Sequence, residues 1–378
     1  AAGMEFHPVH GQAPGPLLQQ FGHRSFRQLA QQVQTGTDGG DHDVDVIARH
    51  AVPPALLAAS SDALLELLGG PTLIHLEGER QDRLFVSTLL HGNEDTGWLA
   101  IRKLLAKYAA VRLPRSLTIF IGNVEAARWR LRRLDHQPDY NRIWPGTSNP
   151  ELPESALMRA VVNEMEGCPL FASVDIHNNT GTNPHYACIT WLEDANYYLA
   201  TLFSRTVVYF RQPLGTQTSA FAARCPAVAL ECGKPGSIGS VEHALQFLEA
   251  CLHLQAFPAR LFPKHDIDLF HTVATVKVCE HTTFGFGQGP GVLKFDPALD
   301  QLNFRELKPG TSFGSIDGHA SLGLRATNGH GQDVTEQYFA RRDNLLVTKR
   351  FLMPAMLTCD AKIIRQDCLC YLMERKAC

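Results

Sequence analysis

The sequence predicts an α/β protein: a mixed, mostly parallel sheet flanked by helices, with a smaller β-rich domain after it. Three observations carry this. Apolar strand-like runs alternate with amphipathic helical stretches between residues 44 and 262, which is the pattern of a sheet covered by helices. Beyond that point the helices give way to short strands and Gly-rich turns. The chain has 378 residues, 44% hydrophobic and 19% charged, which supplies a sizeable core and excludes a disordered chain or a coiled coil.

Taken in order, residues 1–43 are rich in Gln, His and Gly and read as a partly ordered lead-in. A first domain is expected over residues 44–262. Within it, Val44–Ala51 suits an edge strand. Ala55–Leu68 reads as a helix stopped by Gly69-Gly70-Pro71. Thr72–Leu76 and Leu84–Leu90 are strands, the second running into His91-Gly92-Asn93-Glu94. Thr96–Ala110 is helical because Trp98, Ile101, Leu104 and Leu105 recur at helical spacing. Strand Leu117–Ile121, helix Glu154–Glu166 and strand Leu170–Ile176 follow. Tyr186–Trp191, Val207–Arg211 and Pro226–Leu230 are further strands, and Val241–Leu254 is a helix. A second, β-rich domain is expected over residues 263–378, with strands at Thr272–Cys279 and Gly285–Val292 and a turn at Lys308-Pro309-Gly310.

The formal net charge of −3 gives no electrostatic footprint for nucleic acid or an anionic membrane. No apolar run approaches the roughly 18–20 residues that span a bilayer. No secretory signal is visible, and the ten Cys form no CxxC repeat, so a reduced cytoplasmic protein with buried thiols is expected. Cys232 reads as a packed core thiol. A homo-oligomer is admitted as readily as a monomer. The 17 His favour a metal site without locating one.

Chemistry is located by strand ends, where ligands gather in α/β sheets. Three polar clusters each end an apolar strand: His91-x-x-Glu94, Asp175-Ile176-His177, and Glu231. Singly, each is an ordinary boundary residue. Together they supply what hydrolysis on zinc requires: three ligands (His91, Glu94, His177) with a position left for water, and a carboxylate off the metal (Glu231) to take a proton. Asp175 is a candidate partner for His177. A fourth cluster, Arg128 to Arg133 followed by Asp139-Tyr140-Asn141-Arg142, holds five Arg within fifteen residues. In a hydrolase, Arg stabilises an oxyanion or grips a substrate carboxylate with its planar fork.

These residues form an ordered set. It comprises Leu89-Leu90-His91-Gly92-Asn93-Glu94-x-x-Gly97, Asn123-x-x-Ala126, Asp139-Tyr140-Asn141-Arg142, Asp175-Ile176-His177-Asn178-Asn179-Thr180 and Leu230-Glu231-Cys232-Gly233. Over roughly residues 70–260 it resembles the succinylglutamate desuccinylase/aspartoacylase family, within the zinc carboxypeptidase superfamily. Phe295-Asp296-Pro297, Leu307-Lys308-Pro309-Gly310 and Glu336-Gln337-Tyr338-Phe339 resemble that family's C-terminal β domain more faintly.

The resemblance implies a carboxypeptidase-like core, with the β-rich domain capping the site and one zinc per chain on His91, Glu94 and His177. It implies Glu231 as general base and Asn141 with Arg142 as substrate-binding residues. Arg132 and Arg133 both compete for the carbonyl-polarising role, because the spacing to Asn141 is one residue longer than the family's. Tyr338 falls where aspartoacylases carry a substrate-contacting Tyr. The chain departs from the pattern at Phe221, where aspartoacylases carry a further substrate Arg; the nearest Arg is Arg224. The expected function is zinc-dependent hydrolysis of the amide bond of a small, carboxylate-bearing N-acyl amino acid. The rival readings are a metallocarboxypeptidase acting on peptides and an inactive binding protein on the same fold.

Overall fold

The computed structural model describes residues 46–259, 263–318 and 321–376; the lead-in expected over residues 1–43 lies outside them. Nine strands come first: β1 (Ile47–Arg49), β2 (Thr72–Leu76), β3 (Gly78–Thr88), β4 (Leu113–Ile121), β5 (Leu170–His177), β6 (Tyr186–Ile189), β7 (Thr206–Tyr209), β8 (Ala227–Glu231) and β9 (Asp268–Val278). Then come β10 (Phe284–Phe286), β11 (Leu293–Phe295), β12 (Ser312–Ile316), β13 (Leu324–Asn328), β14 (Phe339–Arg342), β15 (Leu345–Thr348), β16 (Met353–Ala355) and β17 (Cys370–Arg375).

The main sheet runs β1-β2-β4-β3-β5-β8-β6-β7-β9-β17-β16, with β13 also on β9. Its centre, β4-β3-β5-β8, is parallel throughout. From Leu84, Ser116, Phe171 and Ala227 onward every residue of these strands is buried, as in a parallel sheet covered on both faces. Helices Thr96–Lys107 and Ile238–His253 pack together on one face, burying Trp98, Ile101, Leu104, Phe247 and Leu248 with the inner residues of β3 to β5. Helix Pro153–Glu166 buries Leu157, Met158, Val161 and Val162 in a separate cluster that includes Phe85, Trp144 and Phe221. No helix of the described residues is long and apolar enough to cross a membrane.

The β-rich segment is sewn to this sheet rather than set apart from it. β9 lies parallel to β7 and antiparallel to β13 and β17. A second sheet, β10-β11-β12-β15-β14, stands beside it over a core that includes Phe295, Phe313 and Phe339. The expected strand Gly285–Val292 is instead mostly the turn between β10 and β11, where Gly287 and Gly291 take positive φ.

Ala55–Leu68 is not one helix. It is two 3₁₀ turns, Pro54–Ala58 and Ser61–Ala63, and a short helix, Leu64–Leu68. The Ala59 carbonyl between the turns accepts from Trp98 Nε1 at 3.0 Å and Arg102 Nη1 at 2.7 Å. Those tertiary bonds take an acceptor that a continuous helix would use for itself, so context overrides the local pattern.

Candidate active site

β3, β5 and β8 are neighbours, parallel, and end at the same edge of the sheet. Thr88 lies opposite Ile176, and His177 opposite Glu231. The three clusters at strand ends therefore converge by register alone. His91 follows β3 by a sharp bend in which Leu89, fully buried, has φ of 54°. A left-handed Leu costs about 1–2 kcal/mol, and the surroundings hold it there: its carbonyl accepts from Asn123 N–H at 2.6 Å. Gly92 is required next. A Cβ on it would lie 2.2 Å from the Ala127 nitrogen, so only Gly lets this loop rest on helix Val124–Arg128.

One donor atom from each of His91, Glu94 and His177 falls within a set spanning no more than 4.8 Å, and all three side chains are buried. Glu94 Oε1 is 2.9 Å from His91 Nδ1, and Oε2 is 2.8 Å from His177 Nδ1. Behind the rings stand two more carboxylates. His91 Nε2–H donates to Asp139 Oδ1 at 2.9 Å, and His177 Nε2–H donates to Asp175 Oδ2 at 2.6 Å. Strand alternation puts Asp175 and His177 on one face. Ser87 Oγ–H donates to Asp175 Oδ1 at 2.6 Å, and Asn141 N–H donates to Asp139 Oδ1 at 2.9 Å.

The electrostatics follow. Burial and Arg132 oppose charge on His91, but Glu94 and Asp139 outweigh them and its pKa is raised. Burial opposes charge on His177 as well; Asp175 and Glu94 prevail, and its pKa lies well above the usual value. Burial raises the Glu94 carboxyl, yet the two imidazoles hold it far below the carboxylate range. Glu231, at the end of β8, accepts from Asn179 Nδ2 at 2.9 Å. Burial above all, with Glu94 adding to it and His177 opposing, pushes its pKa up to about 8.

The donor set fits a divalent metal. Both Nδ1 atoms face Glu94, and both Nε2–H groups are spent on carboxylates, which fixes the tautomers that leave Nδ1 for the ion. His₂Glu is a set that zinc accepts with a position left for water.

The arginines separate. Arg132 lines the pocket. Its Nε and Nη2 donate to Asp139 Oδ2 at 3.2 and 2.9 Å, and Nη2 also to Asp367 Oδ2 at 3.1 Å. Its Nη1 lies 3.7 Å from Glu94 Oε1. Arg133 turns away: its Nη1 donates to the carbonyls of Leu134 and Gln137, and it does not line the pocket. Of the two competing residues, then, Arg132 and not Arg133 lines the pocket.

Asn141 and Arg142 both line the pocket. Asn141 Oδ1 accepts from Gln217 N–H at 2.9 Å, and its Nδ2 is 3.0 Å from His177 Nε2. Arg142 Nη1 donates to the Asn141 carbonyl at 2.9 Å, and Nη2 to Asp367 Oδ1 at 3.1 Å and Tyr371 Oη at 3.3 Å. Tyr338 is elsewhere. It is buried in the core under the second sheet, with the Arg350 guanidinium 5.4 Å from its ring, and is absent from the pocket lining. Phe221 is also absent from the lining, fully buried and stacked on Phe85 at 4.5 Å.

Sequence reasoning missed the far wall. Asp367 and Cys368 follow helix Ala361–Gln366, and Tyr371 and Met373 lie on β17; all four line the pocket with Tyr186 and Cys188 of β6. The only local signal at Asp367 is an acid beside the apolar run Cys368–Cys370.

Residues 80–256 match the family model described as the succinylglutamate desuccinylase/aspartoacylase catalytic domain. No protein of curated function matches the chain by sequence. Solved structures share its fold. The succinylglutamate desuccinylase from Chromobacterium violaceum is 17% identical with a TM-score of 0.52, over 79% of this chain and 86% of that one. The succinylglutamate desuccinylase/aspartoacylase from Rhodobacter sphaeroides is 15% identical with a TM-score of 0.53, over 80% and 88%. A succinylglutamate desuccinylase from Vibrio parahaemolyticus is 12% identical with a TM-score of 0.54, over 85% and 96%. The fold is that of these enzymes, and residues 80–256 carry the match to the succinylglutamate desuccinylase/aspartoacylase catalytic domain.

Proposed function

We propose that this protein hydrolyses the amide bond of small N-acyl amino acids, with one zinc ion per chain held by His91, Glu94 and His177. One observation carries the reading. Two buried imidazoles present Nδ1 to a shared carboxylate while each Nε2–H is tied to its own aspartate. A merely structural cluster has no need of that second layer; a metal site does.

When bound, the ion would supply a Lewis acid and a water of lowered pKa. Glu231 takes the proton released as water attacks the carbonyl carbon and returns it to the leaving amine. Its burial suits this exchange, since a base with pKa near the working pH both accepts and gives. Arg132 stabilises the charge that develops on the carbonyl oxygen, because its Nη1 makes no hydrogen bond among the described residues and lies beside Glu94. Arg142 holds the α-carboxylate of the amino acid through the N–H groups that Asn141, Asp367 and Tyr371 leave unspent. Asn141 holds the Gln217 loop, whose N–H donates to its Oδ1.

The test joins metal content to turnover. Purified wild type and His91→Ala are assayed for zinc and for hydrolysis of N-acyl amino acids and short peptides. One zinc per chain, lost together with activity in the variant, is the expected result. Turnover confined to peptide ends would replace this reading with a carboxypeptidase. Failure of the wild type to take up zinc would remove it.

A further inference from the structure

The pocket holds two arginines and no other Lys or Arg among the residues that line it. In a site built for a substrate with two carboxylates, one fork would face each. Here the forks are already joined by the protein's own acid. Asp367 Oδ2 sits 3.1 Å from Arg132 Nη2 and its Oδ1 sits 3.1 Å from Arg142 Nη2, so one carboxylate spans both guanidinium groups. Asp139 neutralises Arg132 a second time. Arg132, paired twice, is thus not free to take a second substrate carboxylate, and Arg142 keeps only its unspent N–H groups for the first.

Asp367 does not reach there by chance of rotamer. Its backbone N–H donates to the Ile363 carbonyl at 2.9 Å, closing helix Ala361–Gln366, and the Asp360 side chain caps the other end. Two residues on, Leu369 N–H donates to Val276 of β9 at 2.8 Å. The carboxylate is therefore held between a capped helix and the main sheet.

The wall beside it is apolar. Cys188, Val208, Ala229, Ala355 and Met373 form one buried cluster, and all of them line the pocket. The polar group on this wall is neutral: Tyr186 is 1% exposed, and its hydroxyl finds no partner among the described residues. A buried hydroxyl left without a partner is costly, so it is met by a hydrogen-bonding group of a ligand or by water. A charged group pressed against the same wall would lose its hydration with nothing in return.

We propose that Asp367 is a specificity-determining residue that fills the place of a second substrate carboxylate, so that this enzyme takes N-acyl amino acids with one carboxylate and an uncharged, apolar acyl group or side chain. This rests on the hydrolase reading above and narrows it. The exclusion is built from an internal anion, a repulsive element against the wrong substrate as much as an attractive one for the right one.

The experiment compares matched substrates on the zinc-loaded full chain: N-acetyl-leucine with N-acetyl-aspartate for the side chain, and N-hexanoyl-leucine with N-succinyl-leucine for the acyl group. The same four compounds are titrated calorimetrically against the metal-free protein. The apolar member of at least one pair is expected to win by about tenfold or more in kcat/KM and in affinity, a ratio of the size one pocket contact supplies. The pair showing the preference identifies which part of the substrate lies on the apolar wall. Asp367→Asn keeps the shape, removes the charge, and should shrink that ratio at least about tenfold, mainly through KM for the dicarboxylate.

A wild type that prefers the dicarboxylates in both pairs, or an unchanged ratio in Asp367→Asn, overturns the proposal and leaves the hydrolase intact. Binding preference without turnover of any compound keeps the pocket assignment and removes the hydrolase. No binding of either apolar ligand overturns the proposal outright. The wild-type ratios need no variant, so they stand if Asp367→Asn does not fold.

Discussion

The two walls of the pocket are built in opposite ways. One wall is the polar edge of β3, β5 and β8, where each strand delivers its functional residue at or just past its last position. The other is assembled from scattered residues of β6, β7, β16 and β17, Ala229 of β8 and the end of helix Ala361–Gln366. The first wall is dense in charge and fixed by register. The second is mostly apolar and contributes one anion, Asp367. Chemistry that must hold a metal and move a proton needs the first kind of wall. Choice among substrates is made by the second, where a change of one side chain leaves the ligand set untouched.

Glu231 gives the sharpest way to break this division, and the largest effect. Glu231→Gln keeps the size and the hydrogen bond from Asn179 but cannot take a proton. We expect kcat to fall by about 10²–10⁴, the range a general acid–base group supplies, with zinc content unchanged. Zinc analysis beside steady-state kinetics checks it. Loss of zinc in the variant would place Glu231 among the ligands and redraw the polar wall.

The three strand-end clusters were legible because the signal is local: an apolar run followed at once by His, Asp or Glu. Parallel strands that end at one edge bring such residues together whatever lies between them. Arg132 and Arg133 were not separable in advance, since the turn that carries them sets which one faces inward. Tyr338 was misplaced because a short motif match ignores burial, and this Tyr packs under Arg350. Asp367 and Tyr371 had no pattern to betray them. They lie more than a hundred residues beyond Glu231 in the chain and reach the pocket only because β17 pairs with β9. The broken helix at residues 55–68 teaches the same lesson, since the carbonyl that interrupts it answers to Trp98 and Arg102.

A second prediction concerns protons on the polar wall. In the metal-free protein His91 and His177 have raised pKa values, with Nδ1–H and Nε2–H both facing carboxylates. Zinc must displace the Nδ1 protons, so protons compete with the metal. The sign is clear: below the raised pKa values, lowering the pH weakens zinc binding. The logarithm of the apparent affinity should rise with pH at a slope between about one and two, one proton for each imidazole displaced. Titration against a competing chelator at several pH values measures it. Asp175→Asn should flatten the slope and cost about 10–100-fold in affinity at neutral pH, because His177 loses the carboxylate that holds its tautomer. An affinity independent of pH would mean that the imidazoles are not the ligands.

The smallest expected effect separates Tyr371, on the second wall, from Tyr338, which lies off the pocket. Tyr371 Oη accepts from Arg142 Nη2 at 3.3 Å, so its hydroxyl helps aim the fork proposed to hold the substrate carboxylate. Burial raises the pKa of Tyr371 well above the ordinary tyrosine value, and Asp367 pushes it further, so it stays a neutral hydroxyl across the working range. Tyr371→Phe removes one neutral partner of a charged group, worth about 1 kcal/mol, or roughly fivefold. That loss should fall on KM with kcat little changed, since the contact orients ground-state binding. Tyr338→Phe should leave both constants where they are, because its ring packs in a different core. A KM that rises in Tyr338→Phe and not in Tyr371→Phe would mean that the β-rich segment presents another face to the substrate, and the apolar wall would have to be rebuilt around it.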